Sequence, residues 1–219
     1  MKSRRLLARL EKRRAYHLEE LRIAQNPNHP EHLLPPSLPL SHRVLDIGCG
    51  AGQTLIAAYP DRLSFGVDID LDALKLGKSL TGQVAFVCAR AAALPWTNAQ
   101  FDMVIARVVL PYTDISSSLK EIHRVLIKGG EVWLVLHSFS FCWRQLGSGL
   151  NYKRWVFFPY VLLNSIIFHF TQMLFPYRRG KYESFQTERG ITRALVKNGF
   201  ELISCRGTGT SFLVTAKAR

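Results

Sequence analysis

A chain of 219 residues can bury one good core, and the natural expectation is one domain with an appendage. Hydrophobic residues at 47% and charged residues at 21% are ordinary for a globular protein, but 29 Lys and Arg against 16 Asp and Glu leave a net charge of +13. That surplus excludes no anionic partner (nucleic acid, acidic lipid headgroups, phosphorylated substrates) and is also compatible with a soluble protein that is merely basic.

In chain order, residues 1–24 read as a basic helix. Leu7, Leu10, Leu18 and Leu21 keep rough helical spacing, and Arg4, Arg5, Arg9, Lys12, Arg13 and Arg14 cover the remainder. Such a helix either packs on the domain or serves as a membrane-surface or nucleic-acid arm. Pro27, Pro30, Pro35, Pro36 and Pro39 make 26–41 an extended linker. His29, His32 and His42 fall in or beside it without zinc-type spacing, so they are expected to be loop histidines and no metal site is expected. Cys49, Cys88, Cys142 and Cys205 are scattered with no C-x-x-C pair, which argues against structural zinc and a disulfide framework and fits reduced cytosolic thiols. No continuous apolar run follows the basic N-terminus, so no secretory signal is expected.

From 43 onward the pattern alternates. Residues 43–47 form an apolar strand, 54–59 a helix and 63–69 a strand ending near Asp68. A helix over 71–80 follows, capped by Asp70 or Asp72, with Leu71, Leu74 and Leu80 among its apolar positions. Strands follow at 84–88 and 101–106, the latter apolar enough for burial on both faces of a parallel sheet. Asp114 caps a helix to 126 with Ile115, Leu119, Ile122 and Leu126 on one face, and Gly129-Gly130 stop it. A strand at 131–136, a helix at 187–197 and strands at 200–205 and 211–216 complete the series. The alternation means a doubly wound α/β sheet, and the short turn between the last two strands makes an antiparallel hairpin edge.

Residues 138–186 break the pattern. Residues 155–175 are strongly apolar, with Lys153 and Arg154 before them and Arg178, Arg179 and Lys181 after. The length approaches a membrane span, but Pro159, Asn164, His169, Thr171 and Gln172 and the two basic flanks argue against crossing. Two readings stay open: helices roofing an apolar substrate pocket, or a patch that dips into a bilayer surface.

The chemistry concentrates at 43–53, Arg-Val-Leu-Asp-Ile-Gly-Cys-Gly-Ala-Gly-Gln. Glycines at a strand-to-helix turn let backbone approach a ligand, and helix-start amides suit electronegative groups. A dinucleotide fingerprint wants G-x-G-x-x-G, but Gln53 occupies the last position and the third glycine, Gly52, comes early. Asp46, two residues before Gly48, would repel a pyrophosphate and suit an ammonium.

This Asp-x-Gly-x-Gly-x-Gly pattern resembles motif I of the class I S-adenosylmethionine-dependent methyltransferases, in particular the group that includes quinone and other small-molecule or lipid methyltransferases. The resemblance covers about 43–136 plus the C-terminal hairpin. It implies a Rossmann-like, doubly wound α/β fold with a seven-stranded, mostly parallel sheet and an antiparallel C-terminal strand. The domain would be 43–219, after a helix and linker at 1–42, with an apolar lid inserted at 138–186. It implies S-adenosylmethionine as cofactor, with Asp46 at the methionine ammonium, Gly48, Gly50 and Gly52 passing under the cofactor, Cys49 alongside and Gln53 as a further cofactor-binding candidate. Asp68 would hold the ribose hydroxyls and Ile69 would flank the adenine. Arg107, ending the fourth strand, is implied as a further cofactor contact. The family's Asp-Ala-x-x-Leu-Pro-Phe becomes Arg90-Ala91-Ala92-Ala93-Leu94-Pro95-Trp96, so either backbone at Ala91 meets the adenine amine or Arg90 stacks on the ring. Arg124-Val125-Leu126-Ile127-Lys128-Gly129-Gly130 resembles the family's Arg-Val-Leu-Lys-Pro-Gly-Gly turn.

Methyl transfer needs alignment, exclusion of water and sometimes a base. His137, Tyr112 and Asp114 are the candidates, each with a plainer role as loop residue, cleft wall or helix cap. The expected function is a methyltransferase for a small or lipid-like apolar acceptor. The alternatives are an RNA methyltransferase and a cofactor-binding member without turnover. A cytoplasmic protein, in peripheral contact with a membrane surface on the second reading of the insert, is expected.

Overall fold

The computed structural model describes residues 2–147, 152–208 and 211–219, with side chains described except at 2–6, 142, 145–147, 152–156 and 208. The expectations that rest on the side chains of Arg4, Arg5, Cys142, Lys153, Arg154 and Trp155 lie outside the described residues. Among the described residues seven strands, β1 (Val44–Ile47), β2 (Ser64–Asp68), β3 (Val84–Cys88), β4 (Phe101–Arg107), β5 (Leu126–His137), β6 (Phe200–Thr208) and β7 (Ser211–Ala218), form an α/β sheet in the order β3-β2-β1-β4-β5-β7-β6. By compactness the chain divides into two units, Met1–Arg90 and Ala91–Arg219.

In the first unit, β1 (Val44–Ile47), β2 (Ser64–Asp68) and β3 (Val84–Cys88) pair in parallel, with Leu45 opposite Phe65 and Asp68 opposite Cys88. All four β1 residues are buried, as the apolar run requires of a strand covered on both faces. The helices are α1 (Lys2–Gln25), α2 (Gln53–Ala58) and α3 (Leu71–Leu80). Asp70 caps α3 by accepting from Asp72 N at 3.1 Å and Ala73 N at 3.5 Å. The buried face of α3 is Ala73, Leu74 and Gly77, while Leu71 and Leu80 are exposed, contrary to the expected stripe. Gly77 explains the difference, because a Cβ there would sit 2.5 Å from Phe86 Cζ, so the close approach of helix to strand selects this face. α1 packs on α2 and α3, anchored by an Arg13–Asp70 ion pair and by buried Ile23 and Ala24, which favours the packed-helix reading of 1–24. The proline-rich connection has no regular structure and is pinned by side chains. Tyr59 Oη donates to Pro36 O at 2.8 Å, and Arg62 donates to the carbonyls of Leu38 and His42.

In the second unit, β4 (Phe101–Arg107) pairs in parallel with β5 (Leu126–His137), and β7 (Ser211–Ala218) runs antiparallel to both β5 and β6 (Phe200–Thr208). β5 starts five residues earlier than its expected start at 131. The helix before it, α4 (Ile115–Val125), ends at Leu126, whose backbone is extended and which pairs with Phe101. Gly129 and Gly130 therefore do not stop a helix. They sit in a bulge that re-registers Met103 on Glu131, with Gly129 at φ 77°. Ile115, Leu119, Ile122 and Val125 on α4 are fully buried, as are Ile191, Ala194 and Leu195 on α7 (Glu188–Lys197). The segment that breaks the alternation forms α5 (Phe139–Gly147) and α6 (Tyr152–Thr171). Among the described residues no helix is long and apolar enough to cross a membrane.

Candidate functional site

The site of the first unit begins with a backbone problem. Between β1 and α2 the chain reverses within five residues, and Gly48, Gly50 and Gly52 adopt φ values of 70°, 54° and 82°. Side-chain-bearing residues seldom adopt this region. Space is also lacking, since a Cβ on Gly52 would lie 2.8 Å from Phe86 Cζ. The loop then folds onto the end of β2. The amides of Gly48 and Cys49 donate to Val67 O at 2.7 and 3.1 Å, and that of Gly50 donates to Asp68 Oδ2 at 2.8 Å. Ala51 N donates to Gln53 Oε1 at 3.1 Å and Gly52 N to Cys49 O at 2.8 Å.

The five amides of Gly48 to Gly52 are thus bound within the protein, whereas the expectation for electronegative ligand groups concerns the amides at the start of α2, which begins at Gln53. The chemistry left at the turn is acidic. Asp46, in β1, is 2% exposed, and Asp68 is the last residue of β2. Burial is the largest influence on Asp68 and pushes its carboxyl above the usual range, with the Gly50 and Ile69 amides and the nearby His17 and Arg13 opposing it. Its Oδ1 accepts from Asp70 N at 2.8 Å and its Oδ2 from Gly50 N. A carboxylate oxygen accepts two hydrogen bonds, so both retain capacity for ligand hydroxyls. Beside it Ile69 is 73% exposed, an apolar side chain held in the open next to a polar anchor.

Three of the expected ligand side chains in this unit are buried: Asp46, Cys49 and Gln53. Cys49 is buried, its sulfur over Gly66, where a Cβ would approach to 2.8 Å, and burial raises its thiol well above the usual range. Gln53 is 8% exposed and braces the loop, its Nε2 lying 2.9 Å from His17 Nδ1. His17 is the residue that sequence reasoning missed. Its ring lies 3.1 Å from where a Gly50 Cβ would stand, and its pKa is lowered chiefly by burial. A lone histidine on a basic helix gives no signal of this role. Arg90, just after β3, is exposed.

The remaining expected residues belong to the second unit. Ala91 is buried. Arg107 ends β4 opposite Val135 and precedes Val108, a β-branched residue at φ 58°. Such a backbone costs on the order of 1–2 kcal/mol and marks a turn fixed by its surroundings. Asp114 is spent as the cap of α4, accepting from Ser117 N at 3.2 Å and Ser117 Oγ at 2.9 Å. Tyr112 and His137 do meet, edge to face at 6.3 Å between ring centres. His137 also stacks on Phe141 at 3.6 Å and 5°. Burial lowers its pKa to about 4, so the ring is neutral near pH 7. Its Nδ1 has no hydrogen-bond partner among the described residues, and neither has Gln186 Oε1, whose backbone amide donates to His137 O at 3.1 Å. Phe139 extends the aromatic group through Trp143 at 5.9 Å and Phe185 at 5.2 Å. Arg124 is structural: it pairs with Glu121 at 2.7 Å and donates to Trp96 O and Leu94 O, tying down the loop after Arg90-Ala91.

Comparison with known proteins agrees with this geometry. A family model described as a methyltransferase domain matches residues 45–134. An uncharacterized methyltransferase of Bacillus subtilis, YcgJ, is 33% identical over 103 residues, covering 44% of this chain and 41% of that protein. A malonyl-[acyl-carrier protein] O-methyltransferase of Pseudescherichia vulneris is 30% identical over 122 residues, covering 52% and 48%. The chain thus spans about half the length of the curated relatives it matches. A crystal structure of a SAM-dependent methyltransferase from Methanosarcina mazei superposes with a TM-score of 0.56 at 23% identity, over 83% of this chain and 94% of that one, which supports the fold. Residues 45–134 therefore match a methyltransferase domain, and the chain shares the fold of a SAM-dependent methyltransferase.

Proposed function

We propose that the protein transfers a methyl group from S-adenosylmethionine to a small or lipid-like apolar acceptor. One observation carries the donor half of this reading: the glycine turn consumes its own amides and has the half-buried carboxylate of Asp68 beside it. Such a turn is poorly suited to a phosphate and well suited to a ligand with an ammonium and a diol. Asp68 is the residue to hold the ribose hydroxyls, with Ile69 against the adenine face. Asp46 supplies negative charge for the ammonium. Arg90 has no acceptor atom for the adenine amine, so its guanidinium plane is assigned a stacking role. When bound, S-adenosylmethionine supplies a methyl group on a sulfonium, already activated for in-line displacement.

The acceptor half is supported by the aromatic group around His137. Tyr112, Phe139 and Trp143 are 45%, 45% and 61% exposed, a surface suited to an apolar molecule. The acceptor of one relative, a malonyl group on a carrier protein, agrees with a small acyl-type molecule. A neutral, buried His137 is a weak base and Asp114 is occupied as a helix cap, so the aromatic group is assigned contact with the acceptor rather than proton abstraction.

The test is methyl transfer from radiolabelled donor by the full chain, offered a lipid extract and, separately, total RNA. Label in the organic phase supports the proposal. Label in RNA overturns the acceptor class, and donor binding by calorimetry with no label in either overturns turnover itself.

A further inference from the structure

α6 is apolar on both faces. Among the described residues its buried positions are Val161, Asn164, Ser165 and Phe168, while Leu163, Ile166 and Phe170 are 60%, 46% and 69% exposed. With Pro159, also exposed, these three lie within a sector of about 60° on the helix wheel, so the open face is a continuous apolar stripe. The two polar residues on the buried face are accounted for by the segment they hold. Asn164 Oδ1 accepts from Phe175 N at 2.9 Å, and its Nδ2 donates to Glu183 O at 3.2 Å. Ser165 Oγ accepts from Phe185 N at 2.9 Å, and Tyr160 Oη donates to Phe175 O at 2.6 Å. The chain after α6 is thereby folded back along it, adding exposed Met173, Phe175 and Tyr177 to the apolar edge.

Nothing within this unit needs that stripe to be apolar, and its rim carries charge of one dominant sign. Arg178, Arg179 and Lys181 are exposed in the turn closed by the Arg178–Lys181 bridge, and Tyr177 of that turn packs on Phe157 and Tyr160. Arg193 donates to His169 O at 3.3 Å, placing another guanidinium beside the helix. Between 172 and 193 there are five basic residues and two acidic ones.

We infer that this face of α6 and the basic turn after it dock the protein on an anionic lipid bilayer surface. The helix lies in the interface with Leu163, Ile166 and Phe170 in the acyl boundary and the arginines at the headgroups. Charge selects the bilayer over a second copy of the chain, which would bring the same basic rim and net charge of +13 against its own. An embedded span is not available to the described helices, so the mode is lying on the surface. This docking does not depend on the identity of the acceptor, and its test uses no methyl donor.

The test is co-sedimentation of the full chain with vesicles of phosphatidylcholine alone and with about one third phosphatidylglycerol. The expected result is binding to the anionic vesicles only. It should fall by at least about tenfold in the double variant Leu163→Asp/Phe170→Asp and by a similar factor in Arg178→Glu/Arg179→Glu. All four side chains are exposed, so thermal midpoints should stay within a few degrees, and Leu163→Ser/Phe170→Ser repeats the test should the aspartates disturb the fold. Unchanged vesicle binding in the apolar variants overturns the inference. So does a wild-type chain that ignores anionic vesicles but self-associates through this stripe.

Discussion

Replacing His137 with Phe tests the description of the aromatic group by a route that needs no substrate. In the protein the imidazole is 8% exposed, stacked on Phe141 at 3.6 Å, and held to a pKa of about 4 by burial. In the unfolded chain it titrates near 6.5. Above that value both states carry a neutral ring and the residue contributes nothing to pH dependence. As the pH falls from 6.5 towards 4, the unfolded chain takes up a proton that the folded one refuses, so stability is lost through this window. Linkage puts the loss at about 2 kcal/mol between about pH 7 and pH 5, and about 3 kcal/mol by pH 4. Phe preserves the stack and cannot titrate. Urea unfolding of both proteins across this range gives the comparison. His17, also lowered by burial, adds to the loss, and Asp68, raised, opposes it, but both cancel in the difference between the two proteins. The wild type should lose about 2 kcal/mol more than the variant on going to pH 5. Parallel loss to within about 0.5 kcal/mol would refute the burial argument.

Two further substitutions probe the elements around the second unit's candidates. Ser165→Ala removes the oxygen that accepts from the buried Phe185 amide and should cost about 1–3 kcal/mol by urea denaturation, with hydrogen exchange at Phe185 rising in step; an unchanged midpoint would mean that α6 does not hold 172–187. Asp114→Ala removes the cap of α4 and should cost about 1 kcal/mol, while Asp114→Ser restores most of it. Rescue of methyl transfer by Ser would mark Asp114 as a cap; activity lost in both variants at equal stability would place it in the chemistry.

Much of this molecule is legible from its sequence because local rules and the global fold agree. Alternating strand and helix runs, capping at Asp70 and Asp114, and the antiparallel pairing of the last two strands are each found in the structure. The glycine turn after β1 and the place of Asp68 at the end of β2 are legible because they depend on residue type and spacing. What sequence could not supply are choices decided in three dimensions. Whether Gly129-Gly130 end a helix or bulge a strand depends on the pairing of Leu126 with Phe101. Whether the turn amides serve a ligand depends on where β2 places Val67 O and Asp68. The burial of Asn164 and Ser165 in α6 is explained only when they are seen holding the chain that follows.

The central claim is that the acidic glycine turn binds S-adenosylmethionine through Asp68, and titration calorimetry of the full chain with that cofactor addresses it most directly. The wild type should bind one equivalent. Asp68→Asn, which keeps one acceptor oxygen and loses the charge, should weaken binding by about tenfold or more, measured at a temperature where the variant is folded because either Gly50 N or Asp70 N loses its acceptor, as expected for a charge-assisted hydrogen bond of about 1.5–3 kcal/mol. Absence of binding in the wild type, or equal affinity in the variant, would contradict the account.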